Sequence, residues 1–387
     1  MEVAIRSNPD VSPSVTWRRR LSAAFWPLLG LIAVVWSLDL LYRKLEQEVS
    51  GDATVRALLD AGNLWSDLRV IALAIAERLG EIPASGYVMA GLSTLVAYAA
   101  LAWYDRIALI HLRKEKGISW LYIAASSFVT YALGHNIGAS VLSGGMVRLR
   151  AYMAKGLTAA EVAILVAICT YTFVYGSMLL LGLVFTLAPH VVGPLGELFP
   201  PLAWPSWVIR AIGVTLLVLC VLYVLGSWLH FRPVHIGRVE LMYPRLPVTL
   251  RQVVAAPLEI LGAAGIIYFA LPEQGNPGYF IVLGAFLLSF SAGLLSQVPG
   301  GVGVMEAVFL AVMPGMAPTA VVAALFVWRL LYLLIPLALS VPVILYFEKR
   351  QFSVAASKSE PACPLKPAPG DGSLGHSEAS PDRPNER

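Results

Sequence analysis

Few ionisable side chains interrupt the long apolar stretches of this sequence, and those few have chemistry to offer. Glu306 and Arg329 stand alone among uncharged runs of 32, 22 and 18 residues (274–305, 307–328 and 330–347). A charge inside a membrane costs about 2.5–3.5 kcal/mol on insertion scales, so it normally has a partner and often a function. Opposite in sign and neighbouring in order, the two are expected to pair, either facing a polar cavity or simply locking two helices. Glu259, flanked by Pro257 and Gly262, either lines the same cavity or reaches back to the interface from near a helix end. His135, Asn136 and Gln297 lie beside glycine-rich breaks, where polar groups can gate a passage. A lone histidine there more often satisfies a local hydrogen bond than binds a ligand. Arg148, Arg150 and Lys155 form a short basic cluster. Such a cluster attracts anionic head groups by about 1 kcal/mol per charge, and arginine can hold a phosphate through two parallel hydrogen bonds. The plainer reading of the cluster is that it marks topology only.

The surroundings of these residues are not those of a soluble domain. The 387 residues are 58% hydrophobic and 13% charged, with a mean hydropathy of +0.72, whereas an ordinary globular chain carries about 25% charge. Further uncharged runs cover 21–38, 82–104, 117–147, 162–196 and 211–231, and an apolar run of about 18 or more reads as a membrane-spanning helix. Cys169 and Cys220 fall in apolar runs and Cys363 in a polar tail, which gives neither a disulfide framework nor metal spacing. Nucleophile elbow, P-loop and dinucleotide glycine fingerprints are missing. The expectation is a non-enzyme with no catalytic residues, cofactor or metal. Its partners are membrane lipids rather than nucleic acid, with room for a second copy of the chain and for an enzyme of a lipid pathway.

The elements that position the polar residues follow from charge and length. Arg18, Arg19 and Arg20 place the N-terminal segment 1–20 in the cytoplasm by the positive-inside rule. No small-residue cleavage site follows the first apolar run, so it reads as an uncleaved span over about 21–42. The segment 43–81 then lies outside, where Leu68, Ile71, Ile75 and Leu79 have the spacing of a surface helix. A span over about 82–104 returns to Arg106, Arg113, Lys114 and Lys116, inside as the positive-inside rule wants. The next run, 117–147, is too long for one crossing of an about 30 Å core and too short for two. Counting it as one span puts Arg148, Arg150, Lys155, Arg232, Arg238, Arg245 and Arg251 on the wrong side. A re-entrant helical hairpin broken at Gly134, Gly138, Gly144 and Gly145 resolves both problems.

Spans follow at about 159–187, 206–230 and 252–271, and Thr158-Ala159-Ala160-Glu161 fits a capping box for the first of them. Residues 278–316 must begin and end outside, which makes a second hairpin broken at Pro299, Gly300 and Gly301. A last span over about 318–347 leads to a Pro-, Ser- and Gly-rich tail, 348–387, too polar to fold. The expected fold is therefore all-α and polytopic: six spans and two oppositely oriented re-entrant hairpins, with both termini cytoplasmic. The membrane domain covers 21–347. Broken helices at membrane depth occur only where protein or a wet cavity surrounds them, and an opposed pair suggests inverted repeats around a mid-membrane site.

Three motifs in order carry a resemblance. They are Gly134-His135-Asn136-Ile137-Gly138, with Leu142-Ser143-Gly144-Gly145-Met146-Val147-Arg148-Leu149-Arg150-Ala151-Tyr152 close behind; Ser296-Gln297-Val298-Pro299-Gly300-Gly301-Val302-Gly303-Val304-Met305-Glu306; and Arg329-Leu330-Leu331-Tyr332 with Pro336. Together they resemble the transmembrane flippase region of the lysylphosphatidylglycerol synthase/flippase (MprF) family and its stand-alone YbhN-like relatives in the bacterial inner membrane. The resemblance implies movement of an anionic or aminoacylated phospholipid, or a related amphiphile, between leaflets. An accessory role in a lipid, hopanoid or glycan pathway and a membrane-embedded lipid-modifying enzyme are the alternatives. The aminoacyl-transferase domain of the bifunctional members has no counterpart after Arg350, which leaves the substrate open.

Overall fold

The computed structural model describes Asp39 and residues 42–48, 64–137, 140–198, 203–229, 234–236, 239–241, 244–296 and 298–345. A backbone surrounded by hydrocarbon must satisfy its own hydrogen bonds, and this chain does so almost wholly as helix. The helices are α1 (Leu64–Glu81), α2 (Ala84–His111), α3 (Trp120–Ile137), α4 (Ser140–Met153), α5 (Ala159–Leu187), α6 (Gly193–Leu198), α7 (Ser206–Trp228), α8 (Leu246–Ala270), α9 (Tyr279–Leu295), α10 (Val304–Val312) and α11 (Pro318–Leu345). Short 3-10 turns cover Pro189–Val192 and Pro299–Gly301. A small antiparallel ribbon, β1 (Val234–Ile236) and β2 (Val239–Leu241), joins α7 to α8.

Among the described residues, five helices are long and apolar enough to cross a membrane: α2, α5, α7, α8 and α11. The expected first span, bar its last residues, lies outside the described residues, as do the segment 1–20 and the tail. The span expected over 252–271 begins earlier, at Leu246, because Pro247 falls in the first turn, where its missing N–H would be unpaired anyway. The capping box at α5 is present, with Thr158 and Glu161 each bonding the other's backbone N–H. α1 confirms a helix in the segment before the second span and rests on α11, with Arg78 Nε donating to Thr319 Oγ1 at 3.3 Å.

Small residues let the long helices approach closely, as membrane helices require when lipid supplies no hydrophobic drive between them. α2 and α8 run antiparallel, and a Cβ added at Gly262 would lie 2.8 Å from the Ala97 nitrogen and 2.9 Å from the Ser93 carbonyl. On the other side of α8, a Cβ on Gly176 of α5 would meet Ala256 at 2.8 Å. Gly182 and Gly213 draw α5 and α7 together in the same way. Gln252 links three helices, donating to Thr172 Oγ1 and accepting from the Tyr223 hydroxyl, both at 2.8 Å.

Two hairpins complete the bundle. Tyr122, near the start of α3, donates to the Ala151 carbonyl near the end of α4 at 2.7 Å, and Gly144 packs on Thr130 between them. α3 and α4 are therefore antiparallel and share an open end. α9 and α10 pack together, and the loops before and after them meet where Gly275 faces Gly315. The open end of α3–α4 lies with Lys114 and Glu161, paired at 3.2 Å. The open end of α9–α10 lies at the opposite face, where Lys44 Nζ donates to the Leu310 carbonyl and Glu48 accepts from the backbone N–H and hydroxyl of Thr319. The hairpins thus enter from opposite faces, as charge and length require.

The breaks differ in detail from expectation. Gly134 is inside α3, and Gly144 and Gly145 are inside α4. α3 ends at Ile137 and α4 begins at Ser140, and Gly138 between them lies outside the described residues. Gly144 has a packing role instead, since a Cβ there would press Thr130 at 3.1 Å. At the second break Pro299 opens the 3-10 turn, and Gly300 and Gly301 both take φ +62°, a conformation open to glycine at little cost. Gln297 lies outside the described residues.

Candidate functional site

The end of α3, the 3-10 turn of the second hairpin and the middle of α11 come together inside the bundle. α11 changes there from α to π geometry over Arg329–Leu334. A π segment bonds i to i+5 and is common at functional sites. Two backbone carbonyls of this segment are taken by side chains from other helices. Tyr98 of α2 donates its hydroxyl to the Tyr332 carbonyl at 3.0 Å, and Asn136 Nδ2 of α3 reaches the Leu333 carbonyl at 3.1 Å and the Ala132 carbonyl at 2.8 Å.

Around this segment the expected polar residues assemble. Arg329 Nε donates to Glu306 Oε1 at 2.7 Å and Nη1 to the Gly300 carbonyl at 2.7 Å. Nη2 lies 2.6 Å from the same Glu306 oxygen but has no aligned hydrogen bond, so its contribution there is ionic. Glu306 Oε2 accepts the Gly303 N–H at 2.8 Å, which places the carboxylate at the N-terminus of α10, where the helix dipole favours it. The pair expected from sequence therefore exists, and it clamps the second break to α11.

Glu259 of α8 joins from the other side. Its Oε1 accepts the Tyr332 hydroxyl at 2.5 Å. The Tyr332 ring is stacked between His135, at 5.2 Å and 20°, and Trp328, at 5.3 Å and 26°. Glu259 Oε2, His135 Nδ1 and Trp328 Nε1 are buried without hydrogen-bond partners among the described residues. All three atoms gather around the Tyr332 ring, whereas most buried polar groups are satisfied.

The basic cluster is divided by the structure. Arg148 is 5% exposed and turned inward, with Nη2 2.7 Å and Nε 3.2 Å from Asp105 Oδ1. Tyr152 donates to Asp105 Oδ2 at 2.8 Å, the Cys169 thiol to Oδ1 at 3.4 Å, and the guanidinium lies 4.7 Å from the centre of the Tyr131 ring. A guanidinium so enclosed ties α4 to α2 and α5 and does not stand at the surface with its two neighbours. Arg150 and Lys155 are exposed, and Lys155 Nζ sits 4.5 Å over the Tyr122 ring. Asp105 escaped notice because it ends an uncharged run and reads as a flank. Tyr98 and Tyr332 gave no signal beyond ordinary aromatic residues in a span, although Tyr332 lies within the Arg329–Tyr332 motif.

Long apolar helices, opposed broken hairpins and a charged cluster at their tips define a polytopic helical membrane protein. No family model matches the chain. It is 32% identical over 249 residues, 63% of this chain and 73% of the relative, to slr0712 of Synechocystis sp.. It is 28% identical over 274 residues, 69% of this chain and 81% of the relative, to the inner membrane protein YbhN of Escherichia coli K12. The chain belongs to the same family as slr0712, and the second similarity is consistent with a YbhN-like family of membrane proteins.

Proposed function

We propose that the protein is a lipid translocase. It passes the head group of an anionic or aminoacylated phospholipid, or a related amphiphile, along the polar cluster while the acyl chains stay in the bilayer. One observation carries the reading: two hairpins entering from opposite faces meet at a π segment that holds an ion pair and a partly unsatisfied carboxyl. A static scaffold gains nothing from orphaned polar atoms in hydrocarbon, whereas a path for a polar head group needs groups that can exchange partners. In this role Arg329 meets the phosphate and Glu259 and Glu306 meet cationic parts of the head group. His135 and Asn136 release the π segment as the hairpins open. The resemblance to the lysylphosphatidylglycerol flippase region supports the substrate class.

The reading places the chain in a bacterial cytoplasmic membrane with both termini inside. It requires no catalytic step and no cofactor, and it leaves room for self-association or a lipid-pathway enzyme as partner. The test is translocation of fluorescent lipids with several head groups in proteoliposomes. Wild type should move an anionic or aminoacylated lipid, and Glu259→Gln, Glu306→Gln and Arg329→Met should each slow it at least tenfold. Wild-type protein that leaves every probe on its starting leaflet sinks the proposal.

A further inference from the structure

A groove of about 520 Å3, within the range of small-molecule sites, lies beside the cluster, and of its lining only Arg106 has a role above, as a marker of topology. It is lined by Ala99, Ala100, Trp103 and Arg106 of α2, Trp120 of α3 and Leu258 of α8. Exposed apolar residues continue the helix faces that line it: Leu92, Leu95 and Val96 on α2, and Leu250 and Val254 on α8. These are lipid-facing positions, spaced as one face of each helix.

Arg106 gives the groove a polar end. None of the described residues offers its guanidinium a hydrogen bond or carboxylate, and it lies over the Trp120 ring, 5.1 Å from the ring centre. α2 has 28 residues, about 42 Å by rise per residue, enough for the about 40–45 Å of a whole bilayer. Arg106 lies five residues before the end of α2, about 7.5 Å in, where head groups meet hydrocarbon. Trp120 lies against the Arg106 guanidinium and Trp103 about one turn deeper on α2, in the zone where interfacial tryptophans collect. From Arg106 to Ala99 the groove runs about 10 Å deeper. There Tyr98 and Glu259, the chain neighbours of Ala99 and Leu258, already belong to the cluster.

We propose that this groove binds one anionic glycerophospholipid of the adjoining leaflet. Its phosphate sits on Arg106 beside Trp120, and one acyl chain lies along Ala99, Ala100, Trp103 and Leu258. A cation with no counter-ion among the described residues at head-group depth, beside an apolar groove, matches the two halves of such a lipid. That binding claim stands on the groove alone. The groove's further role as the loading point of the route rests on the translocase reading.

The experiment is native mass spectrometry of the full chain from membranes and after exchange into vesicles of phosphatidylglycerol or phosphatidylcholine. Wild type should retain phosphatidylglycerol. Arg106→Gln should retain about fivefold less, the equivalent of about 1 kcal/mol for one interfacial basic residue, with phosphatidylcholine retention unchanged. Ala99→Trp, which fills the groove and keeps the charge, should lose it as well, and an unchanged thermal unfolding curve for either variant separates binding from folding. Wild-type retention in both variants overturns the site, and equal loss of both lipids in Arg106→Gln overturns the head-group assignment. In the translocation assay, lost binding with unchanged flux overturns the loading role. Absent wild-type flux overturns the translocase reading and leaves the binding result to decide the groove.

Discussion

Replacing Asp105 with asparagine removes the counter-charge that allows Arg148 to be buried. The side chains are 0% and 6% exposed and 2.7 Å apart, so water cannot compensate, and removing one member of a buried pair typically costs about 3–5 kcal/mol. D105N belongs in that range, because the stranded guanidinium keeps only amide and Tyr131 ring contacts. R148M should cost less, since the Tyr152 hydroxyl and Cys169 thiol still face the carboxyl group. The double variant D105N/R148M leaves no stranded charge. It should fall short of the sum of the single effects by at least about 1 kcal/mol, the scale expected for residues in direct contact. Equilibrium unfolding in bicelles by steric trapping measures all four proteins. Additivity within about 0.5 kcal/mol would refute the claim that the pair acts as a unit. An R148M protein of wild-type stability that has lost anionic lipid would refute it from the other side, returning Arg148 to head-group binding.

Three other outcomes follow from the packing. Y98F and N136A each remove a side-chain bond to a carbonyl of the π segment, and each should cost about 0.6–1.7 kcal/mol, as membrane hydrogen bonds do; hydrogen exchange should rise in Arg329–Leu334 and not in α7. Glycine replacements should split by location: G176A presses on Ala256 at 2.8 Å and should cost about 1–3 kcal/mol, whereas G145A meets nothing within 4 Å and should be neutral or gain up to about 1 kcal/mol in helix propensity. Cysteines placed at Lys155 and Arg245 should react with an impermeant reagent from one side of the membrane, and one at Glu273 from the other. Labelling of all three from a single side would break the opposed-hairpin topology.

The architecture was legible because two independent quantities, charge placement and run length, constrain it together. The run 117–147 failed both tests as a single span, and α3 and α4 fold back where those failures require. The ion pair was legible for the same reason, since Glu306 and Arg329 are conspicuous against apolar surroundings. Which glycines of the first hairpin lie inside its helices was not. Glycine marks a turn when its φ is positive, as at Gly300 and Gly301, but marks close packing when it is helical, as at Gly144, and sequence gives both the same letter.

Asp105 and Arg148 show why pairing inside the bundle was harder to read than its topology. Each closes an uncharged run, so the positive-inside rule and an ordinary interfacial flank account for both without any contact between them. What makes them a pair is tertiary: α4 turns back along α3 and brings Arg148 against α2, while Tyr152 and Cys169 complete the enclosure from α4 and α5. Arg106, the very next residue after Asp105, faces the groove and meets no carboxylate among the described residues. Adjacent charges on one helix turn thus have different surroundings, one held in the core and the other beside Trp120 in the groove, because a step of about 100° around the helix turns the side chain away from the bundle's interior.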